Sequence, residues 1–155
     1  MTPPPVSQAL TDMGIPHRVF RHPGPVKSLE QAAAERGQLP EQIIRSILFR
    51  LSADDFVMAL MAGPKQIDWK TLRHYLGEKR LTMASEEEVR RVTGYERGAV
   101  APFGLPQPVR LLADESIYAY EEMSLGSGER SVTIILHRDD LRRALGEVEM
   151  VDLGA

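Results

Sequence analysis

A chain of 155 residues is long enough to bury one substantial core and fits a single domain over residues 1–155. Its formal net charge of −3 gives no global basic signature, so a nucleic-acid partner has to be held by a local patch or at one end. The lack of cysteine excludes disulfides, thiolate catalysis and Cys-ligated zinc, and His17, His22, His74 and His137 show no metal-ligand spacing. No apolar run approaches the roughly 20 residues that span a bilayer, and Met-Thr-Pro-Pro-Pro at the start does not read as a signal peptide. The expectation is a soluble, cytoplasmic protein without metal or cofactor.

Val6, Leu10 and Met13 recur at helical spacing until Gly14. Residues 17–20 alternate as a short strand, and Pro23-Gly24-Pro25 turns the chain. Ser28 and Gln31 form a capping box for a small-faced helix that ends at Gly37 and suits close packing on a sheet. Residues 43–51 and 56–62 read as two antiparallel strands joined by a turn at 52–55. On the first of these, Arg45 shares a face with Ile47, Phe49 and Leu51. Either a cation leans towards the core and needs a carboxylate or an anionic ligand, or it lies at the strand entrance and reaches water.

Asp68 caps a helix over 69–76, with Ile67 and Leu72 as a hydrophobic staple, and Gly77 stops it. A brief strand at 81–83 follows, and then a helix capped by Ser85 with Glu88 and ended by Gly94. Residues 92–104 carry Gly94, Gly98 and Gly104 with Pro102 between them. Such a stretch is either a connector or a loop that points several N–H groups at an anion or a developing oxyanion. Strands are expected at 109–112, 117–121, 132–136 and 147–153, a Gly-rich turn at 125–128, and a final helix at 141–145. The missing βαβ alternation argues for an α/β (α+β) fold with a mixed, largely antiparallel, barrel-like sheet flanked by short helices.

The segments at 44–49, 67–72, 83–89 and 93–105, with Gly126-Ser127-Gly128, resemble the YbaK/prolyl-tRNA-synthetase-associated domain family of aminoacyl-tRNA deacylases. The similarity runs from about Gly14 to Leu145, and the Gly-Tyr-x-x-Gly-x-x-x-Pro-x-Gly loop is its most specific part. It implies a YbaK-like fold and hydrolysis of the ester of a mischarged tRNA, often a tRNA for proline carrying a small wrong amino acid. It further implies a free-standing protein acting in trans, no cofactor, and the aminoacyl-tRNA 3′ end as partner, with prolyl-tRNA synthetase as a second one. Monomer and homodimer both remain open. Carried over to this sequence, Arg45 and the loop residues Gly98, Ala99, Pro102 and Gly104 do the catalytic work. Ser46 and Ser127 offer hydroxyls near the acyl group, and Phe20 and Met61 wall the pocket.

Two departures stand out. Arg45-Ser46 occupies the place where the family usually has lysine and threonine, and the Gly126–Gly128 turn lacks the histidine found after it in many relatives. Arginine keeps the charge and grips an anion bidentately, but it cannot move a proton. Two other readings stand beside deacylation: a weak or inactive homologue that grips aminoacyl-tRNA 3′ ends or a synthetase, and a nucleotide binder. The second is disfavoured because no Walker-type or Rossmann-type motif is present.

Overall fold

Strand segments rich in Ile, Val, Leu and Met, broken by capped helices of eight residues, set the architecture. The computed structural model describes residues 2–52 and 54–154. Along the chain follow α1 (Pro5–Asp12), β1 (Arg18–Arg21), α2 (Leu29–Arg36), β2 (Ile44–Arg50), β3 (Phe56–Ala62), α3 (Trp69–Leu76) and β4 (Thr82–Met83). Then come α4 (Glu86–Thr93), β5 (Arg110–Ala113), β6 (Glu122–Gly126), β7 (Val132–His137), α5 (Arg138–Leu145) and β8 (Glu149–Met150). The turn expected at 52–55 runs through Ala53, which lies outside the described residues. Beside it, the Leu51 N–H donates to the Asp55 carbonyl at 2.8 Å.

The strands form two sheets. One is antiparallel, in the order β1-β7-β6, and the other runs β4-β2-β3-β5-β8. In the second sheet β3–β5 and β5–β8 are parallel and the other pairs antiparallel. Among the described residues a single isolated parallel bridge, Ile43 to Ser124, links the sheets. The fold is therefore mixed and largely antiparallel, as expected, but the sheet is not closed into a barrel.

Every residue of β3 after Phe56 is buried. Such a strand carries apolar side chains on both faces, so it shows no alternation. Ile44, Leu48, Met58 and Leu60 pack with Met123, Leu125, Ile134 and Leu136 of the other sheet in the main core. On the opposite face, Phe49, Val57, Ala59 and Met61 join Ile67, Leu72 and Leu112 under α3. The small face of α2 packs Ala32 and Ala33 against Ile43, at the entrance to β2.

Local signals account for the helix ends. Ser85 Oγ accepts the Glu88 N–H at 3.1 Å, and Glu88 Oε1 accepts the Ser85 N–H at 2.9 Å. Asp68 caps α3 through the Thr71 N–H. At α2 the Ser28 cap is present, but the Gln31 side chain reaches the Lys27 N–H in place of the expected Ser28 N–H.

Three expectations need correction. Residues 117–121 are not a strand: Glu115–Tyr118 is one turn of 3-10 helix. Buried Asp114 imposes it by accepting the Ser116 N–H at 2.9 Å. The strand comes later, at Glu122–Gly126, so Leu125 and Gly126 belong to β6 and not to a turn. The final strand shrinks from 147–153 to Glu149–Met150.

Candidate functional site

β4 pairs only with Phe49 and Arg50, so the outer edge of β2 is unpaired at its beginning. A cavity of about 450 Å³ opens along this edge, between α2, the ends of β6 and β7, and the loop around Gly98. Arg45, Ser46 and Gly98 all line it. The Ala84 N–H donates to the Leu48 carbonyl across the same edge at 3.0 Å. By antiparallel alternation Ser46 then presents its own N–H and C=O outwards. Its hydroxyl oxygen is buried and makes no hydrogen bond among the described residues.

Arg45 combines the two alternatives open to it. It is half-buried, on the face of Ile47 and Phe49, and donates through Nη2 to the Lys65 carbonyl. Its Nε is buried without a partner, and no carboxylate pairs with it among the described residues. Burial lowers the Arg45 pKa below the usual arginine range. A buried polar atom left unpaired costs about 1–3 kcal/mol. Two such atoms lie on adjacent residues at the free edge of β2, on opposite faces of the strand, and each lacks the partner that burial calls for.

Tertiary contacts hold the loop. Gly94 stops α4, and the Tyr95 hydroxyl donates to the Phe103 carbonyl at 2.7 Å. A side chain on Gly104 would overlap that hydroxyl. The Ala99 carbonyl accepts the Gly128 N–H at 2.8 Å, and Gly126 lies so close to the carbonyls of Ala99 and Val100 that a Cβ there would collide with them. The Ala99 N–H is engaged by the Glu96 carbonyl. The N–H groups of Gly98 and Val100, both cavity-lining residues, make no hydrogen bond among the described residues. Gly98, at φ 94°, has open space around it.

The remaining expected site residues lie elsewhere. Ala99 is buried behind the cavity surface, and Pro102 lines a separate groove with Pro106 and Val109. Met61 pairs in register with Arg45 but is 2% exposed in the core under α3. Phe20 stands edge-on to His22, with ring centroids 4.9 Å apart, one residue removed from the lining. The Ser127 hydroxyl is occupied within its own turn, donating to the Val132 carbonyl at 2.7 Å and accepting the Glu129 N–H.

Sequence reasoning missed the opposite wall. His22, from the end of β1, and Arg36, from the last turn of α2, line the cavity. His22 Nδ1 lies 2.5 Å from Glu35 Oε1, and Arg36 Nη1 lies 2.9 Å from His22 Nε2. Arginine can only donate and a carboxylate only accept, so His22 is the neutral tautomer with its proton on Nδ1. Both ring nitrogens are thereby occupied, which removes His22 as a general base in this arrangement. Burial lowers Arg36 to about 10, with Glu35 opposing. The hydrogen bond from Gln31, and then that from His22, lowers Glu35. No signal in the sequence joined these residues, because Arg36 also bonds Ser124, 88 positions away.

The candidate site is thus a cavity on a free strand edge, lined by an arginine without a carboxylate partner, a hydroxyl without a hydrogen bond and two loop residues whose N–H groups make none among the described residues. The sequence model of the aminoacyl-tRNA editing domain matches residues 23–144, and the chain belongs to this family. It is 34% identical over 103 residues to a proline–tRNA ligase of Streptococcus thermophilus and 33% identical over 104 residues to that of Streptococcus pneumoniae. These matches cover 66% and 67% of this chain but only 16% and 17% of the ligases. A crystal structure described as a candidate trans-editing enzyme for prolyl-tRNA synthetase superposes with a TM-score of 0.87 at 26% identity. That superposition covers 97% of this chain and 95% of the other. Among the described residues no helix is long and apolar enough to cross a membrane.

Proposed function

We propose that this chain is a trans-editing aminoacyl-tRNA deacylase, acting in the cytoplasm on a mischarged tRNA, with a tRNA for proline carrying a small wrong amino acid as the leading substrate. The observation that supports this reading is one cavity lined by Arg45, Ser46, Gly98 and Val100, in which Arg45 Nε, Ser46 Oγ and the N–H groups of the two loop residues make no hydrogen bond among the described residues, the two side chains leaving the free edge of β2 on opposite faces. Arg45 anchors the terminal phosphate of the 3′ end. The loop amides hold the ester carbonyl as it gains negative charge. A water oxygen bonds to the acyl carbon, the bond from that carbon to the ribose oxygen breaks, and the water's proton ends on the ribose hydroxyl. The cavity lining contains no carboxylate, and its histidine is engaged on both sides. The neighbouring ribose hydroxyl then orients the water. A second site that accepts the smaller acyl group adds selectivity where one methylene is worth only about 1–3 kcal/mol.

The test is a panel of mischarged tRNAs with the purified protein, alongside Arg45→Lys and Arg45→Ala. Amino acid should be released from at least one tRNA. Arg45→Ala should lower the rate at least about a hundredfold, as losing a charged anchor of roughly 3 kcal/mol would. Absence of turnover across the panel overturns the reading. Tight binding without turnover, with turnover gained in Arg45→Lys, selects the alternative that Arg45-Ser46 in place of lysine and threonine has left an inactive homologue.

A further inference from the structure

We propose that Arg36 forms a subsite on the α2 wall that reads the end of the acyl side chain, accepting one that ends in a hydroxyl or another hydrogen-bond acceptor and rejecting one that ends in an ammonium. This subsite rests on the deacylase reading above.

The guanidinium is fixed before any ligand arrives. Nε donates to Gln38 Oε1 at 3.3 Å, Nη1 to His22 Nε2 at 2.9 Å and Nη2 to Ser124 Oγ at 3.1 Å. Its partners are themselves held in place: Gln38 is 8% exposed, Ser124 is fully buried, and the His22 side chain is 2% exposed with Glu35 behind it. A guanidinium has five N–H donors. Three are used, leaving one on each Nη. A donor already immobilised costs little entropy when a ligand meets it.

The surroundings set the sign of the selection. The lining holds Lys27, Arg36, Arg45 and Arg97 and neither an aspartate nor a glutamate. The two carboxyls nearest in the network point away, Glu35 to His22 and Gln31, and Glu122 to Gln38 and Arg18. A side-chain ammonium, added to the α-amino group that every aminoacyl ligand carries, brings a second positive charge towards Arg36 and finds no counter-ion in the lining, which is discrimination by repulsion. A hydroxyl finds an N–H in charge-assisted reach. A methyl group leaves the two free donors where they were.

Three side chains of equal length separate these cases: norvaline, homoserine and 2,4-diaminobutyrate end in a methyl, a hydroxyl and an ammonium. Each is attached through a stable amide to the 5′-monophosphate of 3′-amino-3′-deoxyadenosine, which keeps the terminal phosphate, and binding is measured by calorimetry at neutral pH. The homoserine probe should bind about tenfold tighter than the norvaline probe, and the diaminobutyrate probe about tenfold weaker than it. Arg36→Met should bring all three within about threefold. If that variant fails to fold, the order for the wild-type protein decides alone. Equal affinities, or tightest binding of the ammonium probe, overturn the subsite and leave the deacylase reading standing. No binding of any probe overturns the cavity as the acyl site, and both readings with it.

Discussion

Gly126 closes β6 against the carbonyls of Ala99 and Val100, and the neighbours of its missing side chain are backbone atoms that cannot step aside. Gly126→Ala therefore forces the strand and the loop apart. A loss of about 1–3 kcal/mol in urea denaturation is expected, and a variant as stable as the wild type would contradict this packing. At this scale Arg45 was legible, because a cation on an apolar strand face needs a reason. So was the loop, because Gly98 and Gly104 follow the helix-stopping Gly94 without serving a regular element themselves. The roles given to Met61 and Ser127 could not be checked from sequence. Register places Met61 on the covered face of β3, and a turn that closes only in three dimensions takes up the Ser127 hydroxyl. The wall of His22, Glu35 and Arg36 was illegible because its bonds cross from the end of β1 to α2, and from Arg36 to Ser124 in β6, with no periodic pattern to announce them.

Among the elements, β8 shows how little main chain is needed when side chains hold a strand. It pairs with β5 only at Glu149 and Met150. Arg110 reaches Glu149 with two donors, at 3.0 and 2.8 Å, and the Tyr75 hydroxyl from α3 donates to the same carboxylate. The Arg110 hydrogen bonds, followed by that of Tyr75, hold Glu149 down at about 2, from an ordinary 4.5. A carboxyl with a depressed folded pKa stabilises the fold above its unfolded pKa and loses that contribution as pH falls through the folded value. Wild type should thus exceed Glu149→Gln in stability at neutral pH. The gap should narrow below pH 4.5 and vanish near pH 2 in urea titrations. A pH-independent gap would assign the effect to packing. The starts of α3 and α4 were readable because a cap such as Ser85 with Glu88 is complete within four residues, whereas α5, expected at 141–145, starts at Arg138 behind a His137 cap. The 3-10 turn after Asp114 was not, because Asp114 is also held by the Leu153 N–H, 39 positions away.

At the level of the whole molecule, the two sheets touch by one bridge yet share the main core, with side chains from β2, β3, β6 and β7 interleaved. Neither sheet can keep its buried face without the other, so one cooperative transition is expected. Trp69, edge-on to Phe49 at 5.0 Å, reports the core under α3 by fluorescence, and far-ultraviolet circular dichroism reports all elements. The two midpoints should coincide, and separated midpoints would show the sheets melting independently. The seam where the loop at Gly98 is clamped to β6 and to the turn after it has a kinetic consequence. A loop whose Ala99 carbonyl is held by the Gly128 N–H and whose backbone presses on Gly126 cannot swing away at this point unless β6 moves with it. Exchange of the Gly128 amide hydrogen should therefore follow global unfolding, and exchange through local opening would contradict the clamp.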